Sequence, residues 1–355
     1  MNRRLQIQEA DVPGTNSETW GRFLQYAAFV RGVRLLVLKT SHEDPARDLF
    51  TLLLKRRHGH SFLPELRELN LNVIGGLESA HVFILSSLAS PTVTALGIHS
   101  SFGCEEESRH LLHGGLAETV TKAFPGIFSL QISLLGEAIE DPSRMVADLA
   151  ISDPHFAPYL RKLSIHAPVD RQYAVNLLPP PQRRTLTDIL HPLSALKHLE
   201  DVSFTMDFYR RFLCLTPNIS DDDIRAVAAA LRRVRRIELL LKNPAPLESP
   251  PTLRSLVHFA TLCPQLVSLS LSQVDIDSAI PSTSPSDGPV RCDTLRILRL
   301  VDPSPATEPR RIAACLHRLF PHLDVAGCAF ANDSGQSAVV QDEMRLLQQV
   351  SENHN

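Results

Sequence analysis

The stretch LVSLSL at residues 266–271 decides the fold of this chain, because its apolar residues stand at positions 1, 4 and 6 of the pattern L-x-x-L-x-L. Conservative variants of this pattern recur from end to end, and we number each copy from its first apolar residue. Nine copies begin at Val30, Leu66, Val93, Ile127, Leu160, Leu199, Val234, Leu266 and Leu295, and a weak tenth copy is Leu323/Ala326/Cys328. Such self-similarity is typical of a solenoid, in which each unit buries its apolar face against its neighbours.

Each copy predicts a short β-strand with one buried face. Positions 4 and 6 are apolar and one residue separates them, which is the period of a half-buried strand. Position 5 is polar or glycine in every copy: Arg34, Asn70, Gly97, Gln131, Ser164, Ser203, Glu238, Ser270, Arg299 and Gly327. We therefore expect one face of every strand to point to solvent.

The segments between the copies predict helices that return the chain to the next strand. Ser220 and the three aspartates after it form an N-cap and an acidic first turn. A proline stands two residues before position 1 in six copies, where it ends a helix and begins a strand: Pro64, Pro91, Pro125, Pro158, Pro264 and Pro321. Strand–helix–strand connections favour parallel pairing with a right-handed crossover. The prediction is an α/β fold, a right-handed leucine-rich-repeat-like solenoid with a curved parallel sheet inside, helices outside and about nine to ten irregular repeats.

We predict a single solenoid domain over residues 18–330. A flexible segment, 1–17, precedes it, and a loose tail, 331–355, follows it with a short helix at Glu343–Val350. Proline-rich stretches near 179–184, 244–251 and 281–291 are poor in apolar residues, so we predict mobile loops there.

Composition narrows the class of partner. Lys and Arg number 36 against 39 Asp and Glu, giving a formal charge of -3, so we expect no nucleic-acid partner and no anionic membrane surface. The N-terminus has no apolar stretch of a secretory signal, and no apolar run is long enough to span a bilayer. The six cysteines include no C-x-x-C pair, which suits a reducing compartment. We expect a cytoplasmic or nuclear protein.

Motifs that carry chemistry are missing from the sequence. It has no G-x-x-x-x-G-K-[ST], no G-x-G-x-x-G and no G-x-S-x-G. Cys104, His110 and His113 are closely spaced, but a zinc site usually needs four ligands and no fourth is near. We therefore expect no enzyme, no catalytic residue, no metal and no cofactor.

A cluster of arginines, Arg232, Arg233, Arg235 and Arg236, has two interpretations. It offers a site for phosphate or an acidic peptide. Alternatively, two of these arginines end the preceding helix and two stand at repeat positions 2 and 3 beside the strand.

Several stretches resemble a large family of fungal F-box/leucine-rich-repeat proteins. They are WGRFLQYAAFVRGVRL from Trp20, the segment Ile219–Asp275, and LFPHL at 319–323. The resemblance covers the repeat region, roughly 18–328. It implies a substrate receptor of an SCF-type ubiquitin ligase, in which an F-box binds the adaptor and the repeats hold a protein substrate. No F-box pattern precedes Trp20, so the adaptor is expected as a partner only if an F-box is supplied upstream.

We therefore predict a non-catalytic protein-interaction module, the substrate-recognition part of an F-box-type receptor that lacks or has lost its F-box. The alternative is a stand-alone scaffold or inhibitor without a ubiquitin-ligase link. The resemblance implies that the partner contacts the exposed strand positions 3, 5 and 7. The predicted contact residues are Glu68, Asn70, Asn72, Lys162, Ser164, His166, Asp201, Ser203, Thr205, Glu238, Ser268, Ser270, Ser272 and Arg299.

Overall fold

A computed structural model describes most of the repeat region. The described residues are 17–38, 50–51, 61, 63–74, 79–101, 115–135, 147–148, 158–169, 187, 190–208, 219–242, 250–277, 290–331 and 336–352. The predicted flexible segment up to residue 16, the loop at 179–184, and residues 244–249 and 281–289 of the other two loops lie outside them. So do Cys104, His110 and His113.

Ten parallel strands form one open sheet in which spatial order follows chain order, β1 to β10. The strands are β1 (Gly32–Leu38), β2 (Glu68–Ile74), β3 (Ala95–Ser101), β4 (Ser129–Leu135), β5 (Lys162–Val169), β6 (Asp201–Phe208), β7 (Arg236–Lys242), β8 (Ser268–Ser272), β9 (Ile297–Val301) and β10 (Ala329–Ala331). The predicted α/β class and all-parallel sheet are confirmed.

Repeat positions align across the sheet. In the first nine strands, each position pairs with the same position of the next strand, as in Val33↔Leu69 and Leu69↔Leu96. Positions 4 and 6 point into the core, where Leu69 and Leu71 are fully buried. This register follows from the period of two, because a slip by one residue would turn every apolar side chain outward.

The tenth copy was predicted in the wrong register. Ala329 pairs with Arg299 and Phe330 with Leu300, so Cys328 and Phe330 occupy positions 4 and 6, two residues later than Leu323/Ala326/Cys328 predicts. The cause is a turn in which the N–H groups of Gly327 and Cys328 both donate to the Asp324 carbonyl. A shift of two residues keeps the same side chains inward, and Cys328 and Phe330 are buried.

Helices lie before β1, in the connections between strands and after β10, and they share one core with the sheet. Within the described residues they are α1 (Ser17–Ala27), α2 (Ser79–Ser87), α3 (Leu116–Ala123), a 3₁₀ helix (His191–Ala195), α4 (Asp221–Ala230), α5 (Leu253–Leu262), α6 (Pro309–Leu319) and α7 (Gln336–Glu352). None of these helices has the length and apolar content needed to cross a membrane. The predicted N-cap of α4 is confirmed as a capping box, in which Ser220 and Asp223 each accept the other's backbone N–H.

Prolines mark the passage from helix to strand, as predicted. The N–H at position 1 donates to the carbonyl three residues earlier, from Leu266 to Cys263 at 3.0 Å and from Leu323 to Phe320 at 3.3 Å. Proline is the second residue of such turns, a place where its fixed φ fits. The helices α5 and α6 end one residue before these turns.

The C-terminal helix is longer and better anchored than the tail that the sequence predicts. It begins at Gln336 rather than Glu343, and it packs against α6 and β10. Val340 and Met344 are buried there. Its Gln341 and Gln348 amides donate to the carbonyls of Cys328 (2.9 Å) and Leu323 (2.7 Å), so α7 covers the last turn and strand of the sheet.

Candidate functional site

The candidate site is the polar strand face, which we define as positions 3, 5 and 7 of β2 to β9. Because side chains alternate along a strand, this face is opposite to the core positions 4 and 6. At position 5, register places Ser164 beside Ser203, Ser203 beside Glu238, and Ser270 between Glu238 and Arg299. The predicted residues of β5 to β9 therefore form one continuous strip.

The β2 residues Glu68, Asn70 and Asn72 are set apart from this strip by β3 and β4. Between them stand Gly97 of β3 and Gln131 of β4 at position 5. A Cβ at Gly97 would collide with the Asn70 side chain, so glycine here leaves room for that amide. The structure thus separates the predicted contact residues into a group on β2 and a larger group on β5 to β9.

Charges of alternating sign occupy position 3 of β5, β6 and β7. Asp201 Oδ2 lies 3.6 Å from Lys162 Nζ on one neighbouring strand and 3.8 Å from Arg236 Nη1 on the other. Such solvent-exposed pairs add little to stability, typically about 0–1 kcal/mol each. They hold the charges in a fixed order, which is a feature that a partner can recognise.

A second polar contact lies at position 5, two residues further along the strands. Ser203 Oγ donates a 2.7 Å hydrogen bond to Glu238 Oε2 on the adjacent strand. Arg299 remains exposed at the same position of β9. The strip therefore presents both signs of charge within five strands.

Ser270 and Ser272 were predicted to be exposed, and this is wrong, because each is only 6 % accessible. Ser270 pairs with Glu238 of β7 and Arg299 of β9, which both have longer side chains. Ser272 Oγ accepts the Leu241 N–H at 2.7 Å and donates to the Leu241 carbonyl at 3.1 Å. It thus completes the pairing of β7 with β8 rather than facing a partner.

Some exposed apolar side chains near this face were missed by the sequence reasoning. Leu36 stands at position 7 of β1 and is 64 % accessible. Phe128 precedes β4 at position 2, and Lys162 Nζ lies 5.9 Å from its ring centre, within cation–π range. Tyr159, in the turn before β5, is also exposed. An apolar residue at a position that is polar in most other copies is the signal that identifies them.

One histidine of β3 belongs to this face. His99 stands at position 7 and is half-buried. Its pKa is lowered, first by burial and then by the positive charge of Arg34. It is therefore neutral at physiological pH and offers a partner both a donor and an acceptor.

The described part of the chain contains buried thiols and no cluster of metal-ligating side chains. Its cysteines, Cys263, Cys292, Cys315 and Cys328, are buried and unpaired. Burial raises the pKa of the Cys263 thiol to about 12, so this side chain is a neutral core group and a poor nucleophile. Within the described ranges, no group of three or more His, Cys, Asp and Glu side chains is placed to hold a metal ion.

No protein-family model matches the chain, and no curated protein matches it. Function must therefore be inferred from the shape and chemistry of the polar strand face. Its charged and hydroxyl groups are spread along a row of strands, an arrangement that suits contact with an extended surface.

Proposed function

We propose that this chain is a non-catalytic protein-interaction module that binds a protein partner across the polar strand face. The observation that carries the proposal is the strip on β5 to β9, in which five adjacent strands pair in register and the predicted polar residues other than Ser270 and Ser272 are at least partly accessible. Each inner strand is hydrogen-bonded on both sides, so little order has to be gained on binding.

The size of the sheet supports this function. The eight strands of the polar strand face, spaced by about 4.8 Å, span about 34 Å, and positions 3 to 7 cover about 13 Å along each strand. The flat area is therefore about 440 Å², before side-chain relief is counted. A stable protein interface buries about 800 Å² on each partner, so a partner reaches that range when it engages both the polar strand face and its rim.

The finer architecture that we propose is a leucine-rich-repeat-type solenoid. Its sheet is curved, its crossovers are right-handed and its helices lie on the outside. Sequential parallel strands joined by helical connections support this proposal, because nearly all such crossovers in proteins are right-handed.

Within this function, we assign the module to substrate recognition in an F-box-type ubiquitin-ligase receptor. The support is the resemblance of residues 18–328 to fungal F-box/leucine-rich-repeat proteins. An SCF adaptor would join the assembly through an F-box supplied upstream of the chain. A stand-alone scaffold or inhibitor uses the same face without the adaptor.

Affinity purification with a strip variant and a helix variant tests the binding face. Ser164→Arg/Ser203→Arg places two bulky cations on the strip, whereas Arg225→Glu/Arg254→Glu changes exposed residues of α4 and α5. We expect the strip variant to lose at least one protein that the wild type and the helix variant both retain. Identical protein profiles for the strip variant and the wild type would refute the proposal.

A fusion tests the ligase assignment separately. The chain is expressed behind an F-box from a known receptor, and the strip-dependent partner is followed after protein synthesis is blocked. If the module selects substrates, the fusion shortens the partner's half-life, whereas the Ser164→Arg/Ser203→Arg fusion leaves it unchanged. A partner that binds but keeps its half-life favours the scaffold alternative.

A further inference from the structure

A basic depression of about 120 Å³ lies at the rim of the sheet where β5, β6 and β7 begin. Position 2 of these strands supplies one of its walls, with Arg161, Glu200 and Arg235 on successive strands. The backbone of this wall is fixed by paired hydrogen bonds. The Arg161 carbonyl accepts the N–H groups of Glu200 and Asp201, and the Glu200 carbonyl accepts those of Arg235 and Arg236, at 2.7–3.1 Å.

The turns that precede β6 and β7 supply a second wall. Lys197 and His198 are the middle residues of the turn closed by the Leu199 N–H to the Leu196 carbonyl, at 3.2 Å. Arg233 is the third residue of the corresponding turn before β7. Because the repeats stack in register, side chains from segments more than 30 residues apart meet at one site.

The charge of this site is opposite to that of the whole chain. Four cations, Arg161, Lys197, Arg233 and Arg235, face a single carboxylate, Glu200, which leaves an excess of three positive charges. Arg161 Nη1 is bonded to Glu200 Oε1 at 3.1 Å. Within the described residues, Lys197, Arg233 and Arg235 make no ion pair, and all three are exposed. The chain as a whole carries -3.

We propose that this depression binds an acidic, extended peptide segment of the protein partner. The inference rests on the proposed function and names the partner's chemistry. Arg161 and Arg235 stand two strands apart, about 10 Å, which equals the reach of about three extended residues. Cations distributed over that distance match a row of Asp and Glu side chains, whereas a single phosphate needs donors that converge on one point.

The site also adjoins the polar strand face, since Lys162, Asp201 and Arg236 directly follow its position-2 residues. A partner lying on the strip can therefore extend an acidic segment over the rim. Arginine suits this role because its planar fork pairs with carboxylates in a bidentate manner.

Fluorescence anisotropy with a defined probe tests the site. The probe is a labelled peptide of about ten residues that alternates Glu with Gly, and its control replaces every Glu by Gln. Arg233→Glu/Arg235→Glu replaces two of the four cations of the depression by carboxylates. Arg67→Glu/Arg225→Glu makes the same change of net charge elsewhere, and Arg67 is the exposed position-2 residue preceding β2. Circular dichroism verifies that both variants fold.

We expect the Glu peptide to bind the wild type, the depression variant to bind at least about tenfold more weakly, and the control variant to remain within about twofold of wild type. Binding should weaken as salt is added, because the charges are exposed. Equal weakening in both variants, equal binding of the Gln peptide, or no binding of the Glu peptide would overturn the inference. So would displacement of the peptide by inorganic phosphate at submillimolar concentration, which would indicate a small-anion site.

These failures are distinguishable from failure of the proposed function. If the peptide result is negative while Ser164→Arg/Ser203→Arg still changes partner capture, the acidic-segment inference is wrong and the strand face remains the binding face. If capture is independent of the strip, the proposed function is wrong whatever the peptide does.

Discussion

Replacing Asp221 by alanine should uncouple two neighbouring repeats, although its neighbour Asp222 is chemically identical. The Asp221 carboxylate accepts three hydrogen bonds from the start of α5: from the Thr252 N–H (2.8 Å), the Thr252 hydroxyl (2.7 Å) and the Ser255 hydroxyl (2.5 Å). Ser255 is fully buried. Asp222 is exposed and makes no side-chain hydrogen bond within the described residues.

The magnitude follows from these contacts. Hydrogen bonds to a charged group contribute about 1.5–3 kcal/mol each, and a buried hydroxyl left without its partner costs about 1–3 kcal/mol. Since the three bonds share one partly exposed carboxylate, we expect Asp221→Ala to lower the free energy of unfolding by about 2–4 kcal/mol. Both aspartates lie in the first turn of α4 and lose a similar dipole contribution, about 0.3–1 kcal/mol. Asp222→Ala should lower the free energy of unfolding only by this dipole contribution.

Urea unfolding followed by circular dichroism measures the difference. The two variants have the same charge and the same side chain removed, so the comparison isolates the contacts to α5. A difference of about 2 kcal/mol between the two free energies of unfolding supports a stabilising role for the Asp221 hydrogen bonds to α5. If the two free energies of unfolding agree within about 0.5 kcal/mol, the contact between these helices does not stabilise the array.

Three further predictions concern the core and the sheet. Leu269→Ala at fully buried position 4 should lower the free energy of unfolding by about 2–5 kcal/mol, whereas Val267→Ala at the half-exposed position 2 should cost less than about 1.5 kcal/mol; equal losses would contradict the register. Ser272→Ala leaves the Leu241 N–H and carbonyl without their hydrogen-bond partner and should lower the free energy of unfolding by about 1–3 kcal/mol. Ser268→Ala should lower it by about 0.5 kcal/mol or less, and urea titration of both variants measures the difference. Because the pKa of Cys263 is raised to about 12, its thiol is protonated well above neutral pH, and mass spectrometry should find it alkylated by iodoacetamide at pH 8 only after unfolding in urea; rapid native labelling would refute its burial.

The strand register was predictable because one simple force sets it. Leu69, Leu71 and their counterparts must face the core, and a slip by one residue would turn them outward. The tenth strand was displaced because a local turn closing on the Asp324 carbonyl adds two residues between position 2 and β10. The pattern of apolar residues does not indicate a turn that is formed by backbone hydrogen bonds.

The chemistry of the polar strand face was less predictable because it depends on neighbours in space. Ser268 and Ser270 are alike in sequence, but Ser268 is half-buried, whereas Ser270, which lies between Glu238 and Arg299 of the adjacent strands, is buried. Similarly, Arg233 and Arg235 look like a helix end and a strand flank until the stacking of repeats brings Arg161 and Lys197 beside them. To predict such contacts between repeats, the register of the sheet must be known in addition to the sequence pattern of each copy.

Site-specific photo-crosslinking tests the binding face most directly. A photoreactive phenylalanine analogue is placed at Ser203 on the strip and, in a second protein, at Arg225 on α4, and the covalent products formed in cells are identified by mass spectrometry. The polar strand face predicts a discrete protein crosslinked from Ser203 and missing from the Arg225 sample. The same protein crosslinked only from Arg225 would contradict binding at the strand face and place the partner on the helices.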